Sequence, residues 1–191
     1  RRKLFVNIGN RTMTREILEI GFASFPGADE VFLGSRSDFY RRGIPKQLVK
    51  PSVLGEGVRD WAIDAELESL APYDDTHSLL PLDVSSEWFK YLWSYRHVLS
   101  STTSFNSQTK ADLGQPWWGW YRWIKDRYAN RMSITFGEVA THNHFVLDRG
   151  GKGFKQTAPV IKLPAEATED DHLGLLGLLN SSAGCFWLKQ V

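Results

Sequence analysis

The spacing of apolar residues predicts helices in the middle of the chain and strands towards its end. Residues 85–99 (SSEWFKYLWSYRHVL) form the clearest helical pattern, with an N-cap at one of the two serines that open the segment. Phe89, Leu92 and Trp93 follow the i, i+3, i+4 spacing of one helix face. We therefore expect this segment to pack against a core through those side chains.

Two later segments also have helical spacing. Residues 117–131 (WWGWYRWIKDRYANR) repeat apolar residues through Trp120, Trp123 and Tyr128. Residues 168–190 begin with a threonine suited to an N-cap, carry acids in the first turn and then repeat leucines. The second of these helices should close the end of the fold.

Strand-like runs separated by turn signals dominate the chain after residue 131. SITFGEVAT (133–141), HFVLD (144–148) and APVIKL (158–163) are rich in β-branched and aromatic residues, which favours a small sheet. Short strands are also predicted at residues 4–8 and 31–33.

These elements predict an α+β fold divided into two lobes. Residues 1–131 would form a mixed N-terminal lobe. Residues 132–191 would form a small antiparallel or mixed sheet with a basic hairpin and a C-terminal helix that closes it. Together the two lobes would enclose a groove.

Composition favours a globular domain and argues against a membrane protein. Of the 191 residues, 42% are hydrophobic and 24% charged, the usual balance of a folded soluble domain. No apolar run approaches the ~18 residues of a membrane span. Cys185, the single cysteine, cannot form an internal disulfide, so we expect a reducing, cytoplasmic setting. The start at RRKLFV, without methionine, favours a piece of a longer protein.

The charge is balanced overall, so its distribution decides which partners are plausible. A net charge of +1 argues against a uniformly basic surface but allows a basic face opposite an acidic one. Basic and polar residues cluster at positions 10–15, 41–50, 122–131 and 149–155. The eight tryptophans favour aromatic packing.

A metal site at two closely spaced histidines is one candidate chemistry. His142 and His144 are two residues apart and would share one face of a strand. Asp148 would join them only if the strand stays regular, and His172 opens a distant helix. A His/His/carboxylate site therefore lacks a clear third ligand. Solvated histidines are the alternative.

The glycine-rich turn RGGKG does not match a nucleotide-binding loop. It lacks the spacing of a P-loop and leads into a strand, so no helix N-terminus supports it. Its three glycines can supply the positive φ values of a hairpin turn. Arg149, Lys152 and Lys155 would then project from a basic tip suited to a phosphate backbone, or simply lie in solvent.

Signals of an independent enzyme are missing from the sequence. It contains no Gly-x-Ser-x-Gly elbow and no strand that leads through a glycine-rich turn into a helix. The acidic pairs Asp74-Asp75 and Asp170-Asp171 fit a loop and a helix cap. We expect the chain alone to be non-catalytic.

Six segments, taken in order, resemble one family. They are LVKPSVLGEGVRDW (48–61), WFKYLWSYRHVLSS (88–101), WWGWYRWI (117–124), ITFGEVATHNHFVLDRGGKGF (134–154), TAPVIKLP (157–164) and HLGLLGLLNSSAGCFWLKQ (172–190). They resemble the C-terminal specificity region of DNA adenine-N6 methyltransferases. More narrowly, they are similar to the PglX methyltransferases of BREX phage-defence systems and to TaqI-like restriction-modification enzymes.

The resemblance implies a target-recognition domain that binds duplex DNA and positions an adenine for methylation. In that family S-adenosylmethionine is bound by a separate catalytic domain of the same protein, so this chain would hold no cofactor or metal of its own. Enzymes that modify a base inside a duplex first extract it from the stack. The partners implied are duplex DNA, that catalytic domain and other defence-system proteins, with no membrane.

Polar and basic side chains within these segments are the candidates for contact with DNA. Arg, Lys, Thr, Asn and His can all contact phosphates or base edges. The candidate DNA-binding residues are Arg11, Thr12, Thr14, Arg15, His142, Asn143, His144, Arg149, Lys152 and Lys155. Gly55, Arg59, Asp60 and Trp61 fit either a structural Arg-Asp pair beside an anchoring indole or a further contact.

Two alternatives to DNA recognition stay open at this point. A tryptophan-rich surface would suit a protein-interaction module that docks other defence-system subunits or a phage inhibitor, since Trp and Arg are common interface anchors. A metal-dependent reaction at His142, His144 and Asp148 would require a bound transition metal.

Overall fold

Short strands and short helices make up the fold of the described part of the chain. A computed structural model describes residues 17–103 and 107–190, and the backbone of residues 7–8 and 11–12. The strands are β1 Asn7–Ile8, β2 Arg11–Thr12, β3 Glu19–Gly21, β4 Ser24–Phe25, β5 Leu33–Gly34, β6 Val49–Val53, β7 Val58–Arg59, β8 Ala62–Ile63, β9 Leu67–Leu70, β10 Arg122–Trp123, β11 Ser133–Phe136, β12 Phe145–Asp148, β13 Gly153–Phe154 and β14 Val160–Lys162. The helices are α1 Asp29–Phe32, α2 Arg36–Arg41, α3 Glu87–Trp93, α4 Arg96–Ser101, α5 Asp126–Ala129, α6 Glu169–Leu179 and α7 Ser182–Leu188. The predicted α+β class is confirmed. Within these ranges no helix is both long and apolar enough to cross a membrane.

The first four-stranded sheet contains the strands predicted after residue 131. Its order is β12-β11-β14-β3, and all neighbours are antiparallel. Ile134, Leu147 and Ile161 of this sheet share a core with Leu176 and Leu179 of α6. A capping box begins α6: Thr168 accepts from the Asp171 amide, and the Asp171 carboxylate accepts from the Thr168 amide. The helix predicted over residues 168–190 is present but divided, because α6 ends at Leu179 and Ser181 caps a second helix, α7.

The second four-stranded sheet is joined to the first by a shared apolar layer. Its order is β13-β6-β9-β5, with β13 parallel to β6 and the other pairs antiparallel. Val53 and Phe154 of this sheet belong to the same buried cluster as Val146 and Val160 of the first sheet. The two sheets are therefore held together by packing as well as by the chain.

Backbone pairing crosses the predicted boundary at residue 131 in two places. Strand β3, from residues 19–21, pairs with β14, and β13, from residues 153–154, pairs with β6. The division into lobes 1–131 and 132–191 stays a prediction, and both lobes contribute strands to both four-stranded sheets.

The aromatic segment that follows Pro116 consists mostly of turns and irregular backbone and contains one two-residue strand, β10. The predicted helix over residues 117–131 is wrong: β10 pairs with β4, and only Asp126–Ala129 is helical. The indole N–H groups of Trp118, Trp120 and Trp123 donate to three separate carbonyls, those of Leu80, Leu70 and His77. Because a packed indole needs an acceptor for its N–H, these tertiary bonds override the local helical spacing.

The helix predicted at residues 85–99 is present but divided. It begins as expected, because Ser86 caps α3 by accepting from the Phe89 amide, and it ends at Trp93 before α4 starts. Trp88 and Leu92 supply its buried residues, whereas Trp93 is half exposed, so the predicted buried face is partly wrong.

Predictions nearer the N-terminus have mixed outcomes. The strand predicted at residues 31–33 is largely wrong, since α1 continues to Phe32 and β5 starts at Leu33. The strand predicted at residues 4–8 lies outside the described residues except for Asn7–Ile8, which pairs with Arg11–Thr12.

Lys110 is a fully buried cation in the aromatic region. Its ammonium donates to the carbonyls of Gly119 at 2.5 Å and Trp117 at 3.3 Å, and it lies 5.6 Å from the centre of the Phe32 ring. Burial lowers the pKa of Lys110 to about 8, because a low-dielectric environment disfavours the charged form.

Burial of Lys110 predicts that the chain becomes more stable between pH 8 and pH 10. In this window the folded state releases the protons of Lys110 and of Lys162, whose pKa burial also lowers to about 8, while the unfolded state keeps both, so each lysine raises the free energy of unfolding by up to about 1 kcal/mol per pH unit. Above pH 10 the raised pKa of the Tyr73 and Tyr128 phenols reverses the trend, because the unfolded tyrosines ionise first. Urea unfolding from pH 7 to pH 11 measures this profile. Lys110→Met should reduce the rise, and an equal rise in that variant would contradict the assignment.

Candidate functional site

The glycine-rich turn at residues 149–153 connects strands of different sheets. Gly150 and Gly151 have φ of 99° and 86°, as predicted for the turn. Gly153, however, lies in the extended strand β13, which pairs with β6 and not with β12. The predicted hairpin is therefore wrong, because the buried contact of Phe154 between the sheets directs the chain into the second sheet.

Each cation predicted at the tip of this hairpin has a carboxylate partner. Arg149 binds Glu169 of α6 at 2.5 Å, and Lys152 binds the buried Asp148 at the same distance. Lys155 binds Asp29 of α1. The three side chains fasten the turn to its surroundings and do not project freely, although Arg149 keeps 61% of its side chain exposed.

The loop before β12 contains the three predicted polar residues. His142 is exposed, whereas Asn143 donates to the Leu179 carbonyl at 2.7 Å at the end of α6. His144 lies 3.6 Å from the Asp60 carboxylate, measured between Nδ1 and Oδ1. Asp148 is at the opposite end of β12, in contact with Lys152. Within the described ranges no three metal-ligating side chains form a cluster.

The predicted N-terminal contacts are only partly covered by the structure. Arg11 and Thr12 form β2, whose pairing with β1 is described at the level of the backbone. Thr14 and Arg15 lie outside the described residues. Their proposed contact with DNA stays a prediction, as it does for His142, Asn143 and His144.

The GEGVRDW segment (55–61) leads into a hairpin formed by strands β7 and β8. This hairpin, residues 58–63, is here called the acidic hairpin because of the carboxylates beside it. Arg59 donates to the carbonyls of Gly55 and Val58, and Asp60 approaches His144, so no Arg-Asp pair forms. Trp61 is 60% exposed at the tip and does not anchor a core. A cavity of about 440 Å³ beside the hairpin is lined by several carboxylates. They belong to Glu56, Asp60, Asp64 and Glu66.

A second cavity, here called the basic cleft, is lined with cations. It encloses about 160 Å³ where α5, the turn at residues 149–152 and strands β6 and β14 meet. Its cationic lining residues are Lys50, Arg127, Arg131, Lys152 and Lys162. Cations are therefore concentrated in the basic cleft and carboxylates beside the acidic hairpin. This agrees with the sequence-based expectation that a chain of net charge +1 can have a basic face and an acidic face.

Two of these cations are neutralised by neighbours and three are not. Lys152 is paired with Asp148, and Arg127 is paired with Glu19 at 2.5 Å. Lys50, Arg131 and Lys162 have no carboxylate within ion-pairing distance among the residues with described side chains. The basic cleft therefore has an excess of positive charge.

Burial has the largest effect on the proton affinities of three groups in the basic cleft. Burial lowers the pKa of Lys162 to about 8, and burial also lowers the pKa of Lys50. The pKa of His77 is lowered first by burial and then by the nearby Lys50 charge, which favours the neutral imidazole. A bound anion would relieve the unfavourable environment of all three groups.

Two rings of a three-ring aromatic stack, those of Trp123 and Tyr128, form one wall of the basic cleft. Trp123 lies between Tyr73 and Tyr128, with both ring centroids 4.0 Å from that of Trp123 and interplanar angles of 8° and 4°. The Tyr128 hydroxyl is hydrogen-bonded to Ser24 and accepts from the Phe154 amide. The wall is therefore fixed to β4 and β13.

Sequence reasoning identified part of this site. The basic segments 41–50 and 122–131 contain Lys50 and Arg131, and the turn contains Lys152, but the spacing did not show that they converge. Lys162 was missed. Its signal was a lysine within the apolar run APVIKL, where a charge is rare unless it has partners.

Comparison with known proteins adds one relationship. No family model matches the chain. The adenine-specific methyltransferase PglX of Streptomyces coelicolor is 41% identical to it over 179 residues, which is 94% of this chain. The chain is related to PglX. It spans 15% of the length of that protein, so the matched PglX segment is a small part of a much larger polypeptide.

The two glycines of the turn predict a matched pair of variants. A Cβ at Gly150 would lie 2.6 Å from Cγ of Arg131, whereas a Cβ at Gly151 would meet nothing within 4 Å. Both have positive φ, so Gly151→Ala should cost on the order of 1 kcal/mol from backbone strain alone. Gly150→Ala should cost more, because it also displaces Arg131 from the basic cleft. Urea unfolding of both variants tests this order, and equal losses would contradict it.

Proposed function

We propose that the chain is a DNA target-recognition region of an adenine-specific methyltransferase. The observation that carries this proposal is the convergence of Lys50, Arg131 and Lys162 on one cleft of a nearly neutral chain, with no ion-paired carboxylate among the side chains that the structure describes. The relationship to PglX supports the methyltransferase assignment. Binding duplex DNA would position the target adenine for a catalytic domain elsewhere in the parent protein.

Phosphate contacts would supply most of the affinity in this proposal. Lysine and arginine that replace counterions along the DNA backbone give binding that is strong at low salt and weak at high salt. Arg149, which is exposed beside the basic cleft, would add a backbone contact if it exchanges Glu169 for a phosphate. The exposed His142 is the side chain of its loop best placed for a contact with a base edge or phosphate.

The described residues do not fit a site for S-adenosylmethionine. A cofactor site of the expected kind requires a strand, a glycine-rich turn and a helix in succession. The turn at Gly150 and Gly151 leads instead into strand β13. We therefore assign the cofactor to the catalytic domain proposed for the parent protein and derive no chemical step from this chain.

The arrangement of the tryptophans is less favourable to a protein-docking module. Trp88 and Trp120 are buried, and Trp117, Trp118 and Trp123 pack against the same core. Exposed indole area is provided mainly by Trp61 and Trp93, which are 60% and 49% exposed.

Fluorescence anisotropy of the chain with labelled duplexes at several salt concentrations tests DNA binding. We expect saturable binding whose log affinity falls linearly with log salt. Replacing Lys50 and Arg131 together by glutamine should reduce affinity at least tenfold and lower the salt slope by about 1 to 2, because each lost phosphate contact contributes about 0.9.

Lys90→Gln is the matched control for this titration. Lys90 is exposed on α3, pairs with Glu87 and does not line the basic cleft, so its replacement removes one positive charge from a different surface, half of the charge removed in the double variant. Affinity should stay within about twofold of the parent chain. An equal loss in the control and the double variant, or no binding at low salt, would refute the proposal.

A further inference from the structure

The basic cleft contains both free hydrogen-bond donors and fixed positive charge. Among the residues with described side chains, Lys50 Nζ has no hydrogen-bond acceptor, although the residue is partly buried. Arg131 uses Nε to donate to the Arg149 carbonyl at 2.7 Å, which leaves the two terminal nitrogens of its guanidinium without a described acceptor. These two side chains are available to donate to a ligand.

Lys162 has a different role in the basic cleft. Its ammonium donates to the carbonyls of Asn130 and Met132, at 2.6 Å and 3.1 Å, and to Ser133 Oγ at 2.7 Å. An ammonium has three donors, so all of them are used. Lys162 therefore adds a fixed charge and holds the 130–133 segment, including Arg131, against β14.

The aromatic wall restricts which ligand can enter. An extrahelical base would need an open ring face to stack on. Both faces of Trp123 are covered, by Tyr73 and by Tyr128. The indole N–H of Trp123 is also bound to the His77 carbonyl at 3.1 Å. A base therefore gains no stacking on Trp123.

The charge of the basic cleft selects an anion over a cation. Asp148, the carboxylate that lines it, is bound to Lys152 and to the Gly150 amide. The basic cleft has a volume of about 160 Å³, well above the roughly 10–15 Å³ that a cavity needs to hold one water. This space accommodates one tetrahedral oxyanion with a few waters.

We propose that the basic cleft binds a single phosphate group, with Lys50 and Arg131 as direct donors and Lys162 as a fixed counter-charge. This binding site is here called the seat. This inference deepens the proposed function and rests on it for the source of the phosphate, a phosphodiester of duplex DNA. A free phosphate ion shares the same chemistry and is the other source. Because Arg131 offers a planar fork of donors, it should bind two oxygens of the phosphate at once.

Isothermal titration of inorganic phosphate into the 191-residue chain at low ionic strength tests the seat directly. We expect saturable binding to one site. Lys50→Met keeps the apolar stem but removes the donor, and should weaken phosphate affinity at least tenfold, as should Arg131→Gln. Lys90→Met, which removes an exposed lysine outside the basic cleft, should leave the affinity unchanged. Circular dichroism of each variant checks that the fold is retained.

Competition with DNA separates failure of the seat from failure of the proposed function. If phosphate displaces a labelled duplex from the parent chain and Lys50→Met weakens both ligands, the seat holds a backbone phosphate. Phosphate binding that depends on Lys50, in a chain that does not bind DNA, supports the seat but overturns DNA recognition. DNA binding that neither phosphate nor Lys50→Met affects overturns the seat alone. The absence of phosphate binding in the parent chain also overturns the seat.

Discussion

The stack of Tyr73, Trp123 and Tyr128 is the contact on which the rest of the site depends. It joins the loop after β9 to the aromatic segment that follows Pro116, and the Tyr128 hydroxyl is hydrogen-bonded to Ser24 and accepts from the Phe154 amide. Phe154 in turn belongs to the apolar layer between the two main sheets. The three rings therefore connect the aromatic segment to this apolar layer, and Trp123 and Tyr128 form one wall of the basic cleft.

The basic cleft also reflects a cost that the fold must offset. Placing Lys50, Lys162 and Arg131 together is unfavourable without a counter-ion, and burial of the two lysines adds a desolvation penalty. Lys162 offsets part of this penalty through its three hydrogen bonds, and the Asp148 charge favours its protonated form. Such groups are concentrated at functional sites because binding relieves their environment.

Local sequence patterns were sufficient to predict the elements whose structure depends on residues that are close in sequence. The strands at residues 133–136, 145–148 and 160–162 follow from alternation and β propensity, and the Ser86 and Thr168 caps follow from side-chain chemistry. The aromatic segment could not be predicted in this way. Its non-helical form depends on acceptor carbonyls at Leu70, His77 and Leu80, which are about 40 to 50 residues away in sequence.

The candidate site was predictable only in part for the same reason. The turn and its positive φ values at Gly150 and Gly151 follow from the glycines themselves. The pairing of Lys155 with Asp29 joins residues 126 positions apart, and no pattern in the sequence indicates it. Lys152 and Asp148 are only four residues apart, so their pairing was a local signal that the hairpin interpretation overlooked.

Hydrogen–deuterium exchange of the chain with and without duplex DNA tests most directly whether the basic cleft faces DNA. The account predicts that DNA slows amide exchange at residues 123–133 and 148–154, which surround the cations, and leaves the acidic hairpin at residues 58–63 unchanged. Protection confined to the acidic hairpin, with none around the basic cleft, would contradict it.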